Sequence, residues 1–218
     1  MTEQERSQNT KLALMKAGLT LFAQKPFGEV KLKEILDLAG QKNRNALQYH
    51  FGSKRALFER ILLEQADNID ELRQQLINAI SSTGDLTVEI AVDVYLQPFI
   101  QYTRWNTNGK LYTKLLGHFL RTPERVEKIL NPDIPMSTPP RSLAEVLVAI
   151  TPNLDHRERD QLLYVSNSMM IYSLENLIAA EEQGILTLDS PVGRHVLDSL
   201  HYALVRLWTV TKLEKNAT

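Results

Sequence analysis

The sequence predicts an all-α fold in two parts, a small N-terminal three-helix head and a larger helical body. Two observations predict the class. Apolar residues recur at helical spacing along the longer segments, and no convincing strand pattern or internal repeat interrupts them. A third observation, the charge distribution, predicts the division. The formal net charge is −1, yet residues 1–64 hold 11 Lys/Arg against 7 Asp/Glu while residues 65–218 hold 14 against 19. A basic head on an acidic body suits a small polyanion-binding module joined to a part with another task. The expected domains are residues 1–53 and 54–218.

The elements follow in order. In "NTKLALMKAGLTLFAQK", Leu12, Met15, Leu19 and Phe22 share one helix face, with Asn9 or Thr10 as cap, and "PFGE" breaks the helix. Leu32, Ile35, Leu36 and Ala39 form a short second helix ended by Gly40. A third short helix runs to Phe51, where Gly52 stops it. Two short helices joined by a tight turn and packed on a preceding helix make a helix-turn-helix. Ser53 caps a long helix reaching about Ile80, followed by the break "SSTGD". Leu86 to Trp105 is helical with Pro98 inside, which leaves the Val94 carbonyl without its helical partner and kinks the segment. "NGKLYTKLLGHFLR" is a shorter helix, Thr122-Pro123-Glu124 opens another, and "NPDIPMSTPP" reads as loop. Two long helices, about Asp155–Gln183 and Ser190–Lys212, close the chain.

At 218 residues, 43% hydrophobic and 23% charged, the chain is long enough to bury a real core. With no cysteine, disulfides, thiolate catalysis, zinc ribbons and iron–sulfur ligation are excluded. The N-terminal "MTEQERSQNTK" lacks a signal peptide's apolar stretch, and no apolar run approaches the ~20 residues a bilayer span needs. The expectation is a soluble cytoplasmic protein without membrane association. His50, His118, His156, His195 and His201 show no metal-ligand spacing, and no phosphate loop or serine elbow is present. "HRERD" at 156–160 reads as a charged first turn, and Glu89 with Asp93 as a solvated pair. No enzyme activity, metal or cofactor is expected.

The third helix carries the functional signal. Leu47 and Phe51 face inward, leaving a hydrogen-bonding rather than acidic outer face. Asn and Gln match the adenine edge and Arg the guanine edge in a major groove, so Arg44, Asn45 and Gln48 are the expected base readers. Lys42, Asn43 and Tyr49 are expected on backbone phosphates, as are Lys31 and Lys33 where the preceding helix crosses the duplex. Lys54 opens a helix, where a cation is opposed by ~0.3–1 kcal/mol, so an external anion, DNA phosphate, is expected to compensate it.

Residues 11–63, with "GLTLFAQKPFGEVKLKEILDLAGQKNRNALQYHFGSKRALF", resemble the N-terminal domain of TetR-type transcriptional repressors, in which "LF", "AG", "YHFGSK" and a following "LF" recur at these intervals. The stretch "GQKNRNAL" is one residue longer than the commonest form of the motif. The resemblance implies a homodimer on a palindromic operator in double-stranded DNA, with half-sites about one DNA turn apart or a multiple of it. It also implies a small-molecule effector bound in the helical body, built partly by the helix after Ser53, whose shift changes the separation of the two heads.

The last helix supports a dimer separately. Val192, Val196, Leu200, Ala203, Leu207 and Val210 form one apolar stripe, and Leu197, Leu204 and Trp208 a neighbouring one. Two apolar flanks need two neighbours, the protomer's own body and a partner's four-helix interface that includes Leu163, Met170, Leu174 and Leu177. The ligand pocket is expected at Phe99, Tyr102, Trp105, Tyr112, Leu116 and Phe119, with Met169 and Tyr172 as far wall, favouring an apolar or aromatic molecule. The alternatives are a DNA-binding dimer with no small ligand and, less favoured, a helical enzyme.

Overall fold

The computed structural model describes residues 2–80, 85–122 and 141–213. Among these the chain is helical throughout, with no strand: α1 (Glu3–Gln24), α2 (Leu32–Leu38), α3 (Ala46–Phe51), α4 (Lys54–Ile80), α5 (Val88–Trp105), α6 (Thr107–Leu120), α7 (Arg141–Ile150), α8 (His156–Glu182) and α9 (Pro191–Leu213). Past Thr122, the helix expected to open at 122–124 lies outside the described residues, as do the loop at 131–140 and the first four residues of "SSTGD".

α1 begins before the expected Asn9 because of a capping box. The Thr2 hydroxyl accepts from the Glu5 N–H at 3.2 Å, and the Glu5 carboxylate accepts from the Thr2 N–H at 2.7 Å. The helix-turn-helix is punctuated by Gly40 and Gly52, at φ 67° and 77°. These left-handed conformations cost a side-chain-bearing residue energy and cost glycine little. The longer turn is closed by the Gln41 N–H on the Leu36 carbonyl (2.9 Å) and by the Asn45 N–H on the Asn43 side chain (3.0 Å).

α7 was not foreseen from sequence. Its residues Leu143, Val146, Leu147 and Ile150 are buried at helical spacing, so the periodic signal begins just after the proline cluster at 132–140.

A single apolar core runs from Leu14 and Phe22 in the head to Leu204 and Trp208 in α9. α1 packs along α6, and α4 along α5, so head and body share helix contacts. Phe58 of α4 is the join. Its ring meets Phe22 edge-on at 5.0 Å, Phe27 at 5.1 Å and Phe119 of α6 at 6.0 Å.

Candidate nucleic-acid interface and ligand core

α3 is too short to hold its own position, so the head's core fixes it. Ala46 and Leu47 are buried where α3 packs on α4 and α1, with Leu47 1% exposed. That anchorage turns the opposite face outward. Lys42, Asn43, Arg44, Asn45, Gln48 and Tyr49 are all exposed, Tyr49 to 80%. Asn43 spends its side-chain oxygen on the Asn45 N–H and so shapes the entry to α3. Lys31 and Lys33 are exposed at the start of α2.

A carboxylate braces this end. Glu34 accepts the Lys31 N–H at 2.7 Å and the Lys25 ammonium at 2.7 and 2.9 Å. The Lys25 bond, then the Lys31 N–H, hold the Glu34 carboxyl below its ordinary pKa.

Lys54 does not project outward as expected. Its ammonium donates to the Phe27 carbonyl at 2.9 Å and the Val30 carbonyl at 2.8 Å, and sits 4.3 Å from the Phe27 ring centroid. Carbonyl oxygens of the chain's own loop, not an external anion, compensate the cation, and its partial burial pushes its pKa down. The α4 N-terminus is capped by the Ser53 hydroxyl, which accepts the Ala56 N–H at 3.0 Å.

A family model described as bacterial regulatory proteins, tetR family, matches residues 14–61, which span α1 to the second turn of α4. Residues 14–61 are similar to the DNA-binding domain of tetR-family regulators. No curated protein matches the chain. The DNA-binding helix-turn-helix is therefore α2 and α3, and α4–α9 form the helical C-terminal part. Among the described residues, no helix of the chain is long and apolar enough to cross a membrane.

The structure gathers only part of the expected ligand core. Phe99 and Tyr112 stack at 6.1 Å, and both are buried, as is Tyr102. The Tyr102 hydroxyl donates to Gln65 at 2.7 Å and accepts from Asn68 at 3.2 Å, tying α5 to α4. Burial raises the pKa of the Tyr102 and Tyr112 hydroxyls. Leu116 and Phe119 are half-buried against the same core. Trp105 is not among them. It is 74% exposed, because α5 ends there and Asn106 turns the chain away in an extended conformation. Met169 and Tyr172 are also elsewhere, lining an open groove of about 580 Å³ between α8 and α9 with Val196, Leu200 and Ala203.

The expected dimer residues divide similarly. Leu163, Met170, Leu174 and Leu177 are buried in the protomer, at most 8% exposed, and have no surface left for a partner. They lie on the inward face of α8, rotated about the helix axis from Met169 and Tyr172 of the groove. Leu197, Leu204 and Trp208 fill the core, the Trp208 indole donating to Ser166 at 2.8 Å. Val196, Ala203 and Leu207 are half-buried on the outer flank, Leu200 is buried at its base, and Val192 and Val210 are 59% and 41% exposed.

Sequence reasoning missed a polar seam between α4, α5 and α7. The Arg73 Nε donates to the Val94 carbonyl at 3.2 Å, the oxygen that Pro98 leaves without a helical donor. Asp70 accepts from Arg73 at 2.6 Å and from the Ser142 hydroxyl. Gln65 and Arg73 interrupt the otherwise apolar series Leu57, Ile61, Ile69 at four-residue spacing, which is the signal that marks them. Among the described residues no cluster of side chains suits a metal ion.

Proposed function

We propose that this protein is a ligand-responsive repressor which binds a palindromic operator as a homodimer and releases it when a small apolar or aromatic effector enters the body. The observation that carries the reading is the outward face of α3. Gln48 stands exposed on α3, and Arg44 and Asn45 stand exposed in the turn that leads into it, while the helix's other face is locked into the head by Ala46 and Leu47. Those side chains supply base-edge contacts, while Lys31, Lys33, Lys42, Asn43 and Tyr49 supply register on the phosphates.

Dimerisation is supported by the outer flank of α8 and α9. Val165, Met169 and Tyr172 on one helix, and Val192, Val196, Ala203 and Val210 on the other, form an apolar strip around the groove. Effector binding is supported by the aromatic core at Phe99, Tyr102 and Tyr112, which leans on α4 and hence on the head. An effector that prefers the arrangement misfitting DNA by 100-fold supplies about 2.7 kcal/mol to the switch.

Gel shift and selection of bound fragments from the source genome test the head. Gln48→Ala is expected to lower discrimination at one base position by about 1–3 kcal/mol while leaving non-specific binding intact. A uniform loss across sequences counts against base reading by α3. Thermal stability against a metabolite and drug panel tests the body. If none of the compounds stabilises the protein, the reading becomes a DNA-binding dimer without a small ligand.

A further inference from the structure

We propose that Asn43 is a positioning residue for DNA reading: its side-chain oxygen closes the turn into α3 and so holds Arg44 and Asn45 in place with their own side chains unspent. The inference rests on the reading of this helix-turn-helix as the element that meets DNA bases. The turn "GQKNRNAL" must carry its additional residue between two fixed ends. At one end Gly40 takes φ 67°, the Gln41 N–H bonds the Leu36 carbonyl at 2.9 Å, and the Gln41 side-chain amide bonds the Ala39 carbonyl at 3.1 Å. At the other end Ala46 and Leu47 are buried. The four residues between, Lys42 to Asn45, are exposed.

Asn43 bridges the second half of that exposed stretch. Its backbone carbonyl accepts the Ala46 N–H at 3.1 Å, and its Oδ1 accepts the Asn45 N–H at 3.0 Å. Asn45 is the N-cap of α3, where an asparagine side chain ordinarily folds back onto the helix, yet it makes no cap bond here. Among the described residues, the side chains of Arg44, Asn45 and Gln48 have no hydrogen-bond or ion-pair partner. The tasks are divided: Asn43 closes the turn from outside the helix, and the readers keep their donors and acceptors for a base edge. α3 spans six residues, too few to fix its own entry. A turn without the Oδ1 bond samples more directions and must be ordered again at each encounter with DNA. The amide hydrogens of Asn43 remain able to meet a phosphate, and the test separates that role from the oxygen's.

The test uses the full chain, a duplex selected by the wild-type protein from a randomised pool, and a scrambled duplex as control. Asn43→Leu keeps the bulk of the side chain and removes its acceptor. It is expected to lose on the order of tenfold in affinity for the selected duplex and to change little on the scrambled one. The loss should fall at the base positions that Arg44→Ala and Asn45→Ala also relax. Asn43→Ser keeps an oxygen within reach of the Asn45 N–H and drops the amide hydrogens, so it is expected to retain most of the selectivity. Wild-type discrimination by Asn43→Leu, or a loss in Asn43→Ser as large as that in Asn43→Leu, overturns the proposal. Equal losses on both duplexes overturn it as well, being the mark of a phosphate contact.

Backbone amide exchange in the wild-type protein, followed by NMR, needs no variant to fold. Corrected for sequence, the Asn45 amide is expected to exchange more slowly than that of Arg44, its exposed neighbour. Equal protection of the two overturns the proposal. Failure of the wild-type protein to select any duplex would instead strike the DNA-binding reading itself.

Discussion

Glu34 binds the Lys25 ammonium through both carboxylate oxygens and also receives the Lys31 N–H, so one carboxylate joins the end of α1 to the start of α2. Its pKa is lower in the folded head than in the unfolded chain. The resulting stabilisation is therefore full above the ordinary carboxylate pKa and is lost as pH falls through the depressed folded value. Glu34→Gln is expected to melt at a lower temperature than wild type at neutral pH, and the two proteins to converge in acid. Thermal unfolding followed by circular dichroism across a pH series checks this; a gap that persists at the acid end would refute the linkage. Residue types were legible here before residue directions were. The motif "YHFGSK" located Lys54 at a helix start, but nothing local to it announced that carbonyls 24 and 27 residues earlier would accept its hydrogen bonds. Long-range partners of a flexible lysine leave no periodic trace.

At the level of elements, the proline in α5 is the instructive case. Its position told in advance that the Val94 carbonyl would need a donor, and the supplier is Arg73 of α4, buried to 5% exposure. Arg73→Met removes that donor and strands Asp70 beside Ser142, and is expected to cost about 2–4 kcal/mol of unfolding free energy, measured by urea titration. An effect below about 0.5 kcal/mol would mean that water serves the carbonyl as well. Most helix identities were readable because apolar spacing, glycine stops and caps agreed with one another. α7 was missed because its ten residues follow directly on a proline-rich stretch. The direction of α8 was misjudged because its apolar residues occupy more than one face, and spacing alone does not say which face meets the protomer's own core.

For the whole molecule, the question is how the parts are joined. α6 lies against α1 of the head and is tied to α8 by Lys110–Glu181, Lys114–Glu182 (2.6 Å) and Arg121–Glu175 (3.0 Å). These pairs are partly exposed and individually worth little, but they place the head-bearing helix and the proposed dimer helix in one frame. Ala203→Glu, which sets a charge in the groove between α8 and α9, is expected to shift the protein from dimer to monomer in sedimentation and to weaken operator binding. A variant that sediments as wild type would move the dimer face elsewhere. The charge asymmetry foretold a basic head and an acidic body, since net charge sums over a surface regardless of detail. The aromatic cluster was only half legible, because Trp105 and Phe99 look alike in a sequence, whereas Phe99 lies buried within α5 and Trp105 is its exposed last residue.

The guanidinium of Arg73 restricts the motions open to α4. Rolling that 27-residue helix about its own long axis would drag a positive charge through hydrocarbon and away from the oxygens that solvate it. Tilting about the same point disturbs those bonds far less. The geometry therefore favours a lever over a spindle, with its fulcrum where Arg73 meets the Val94 carbonyl and its other end beneath the DNA-reading head.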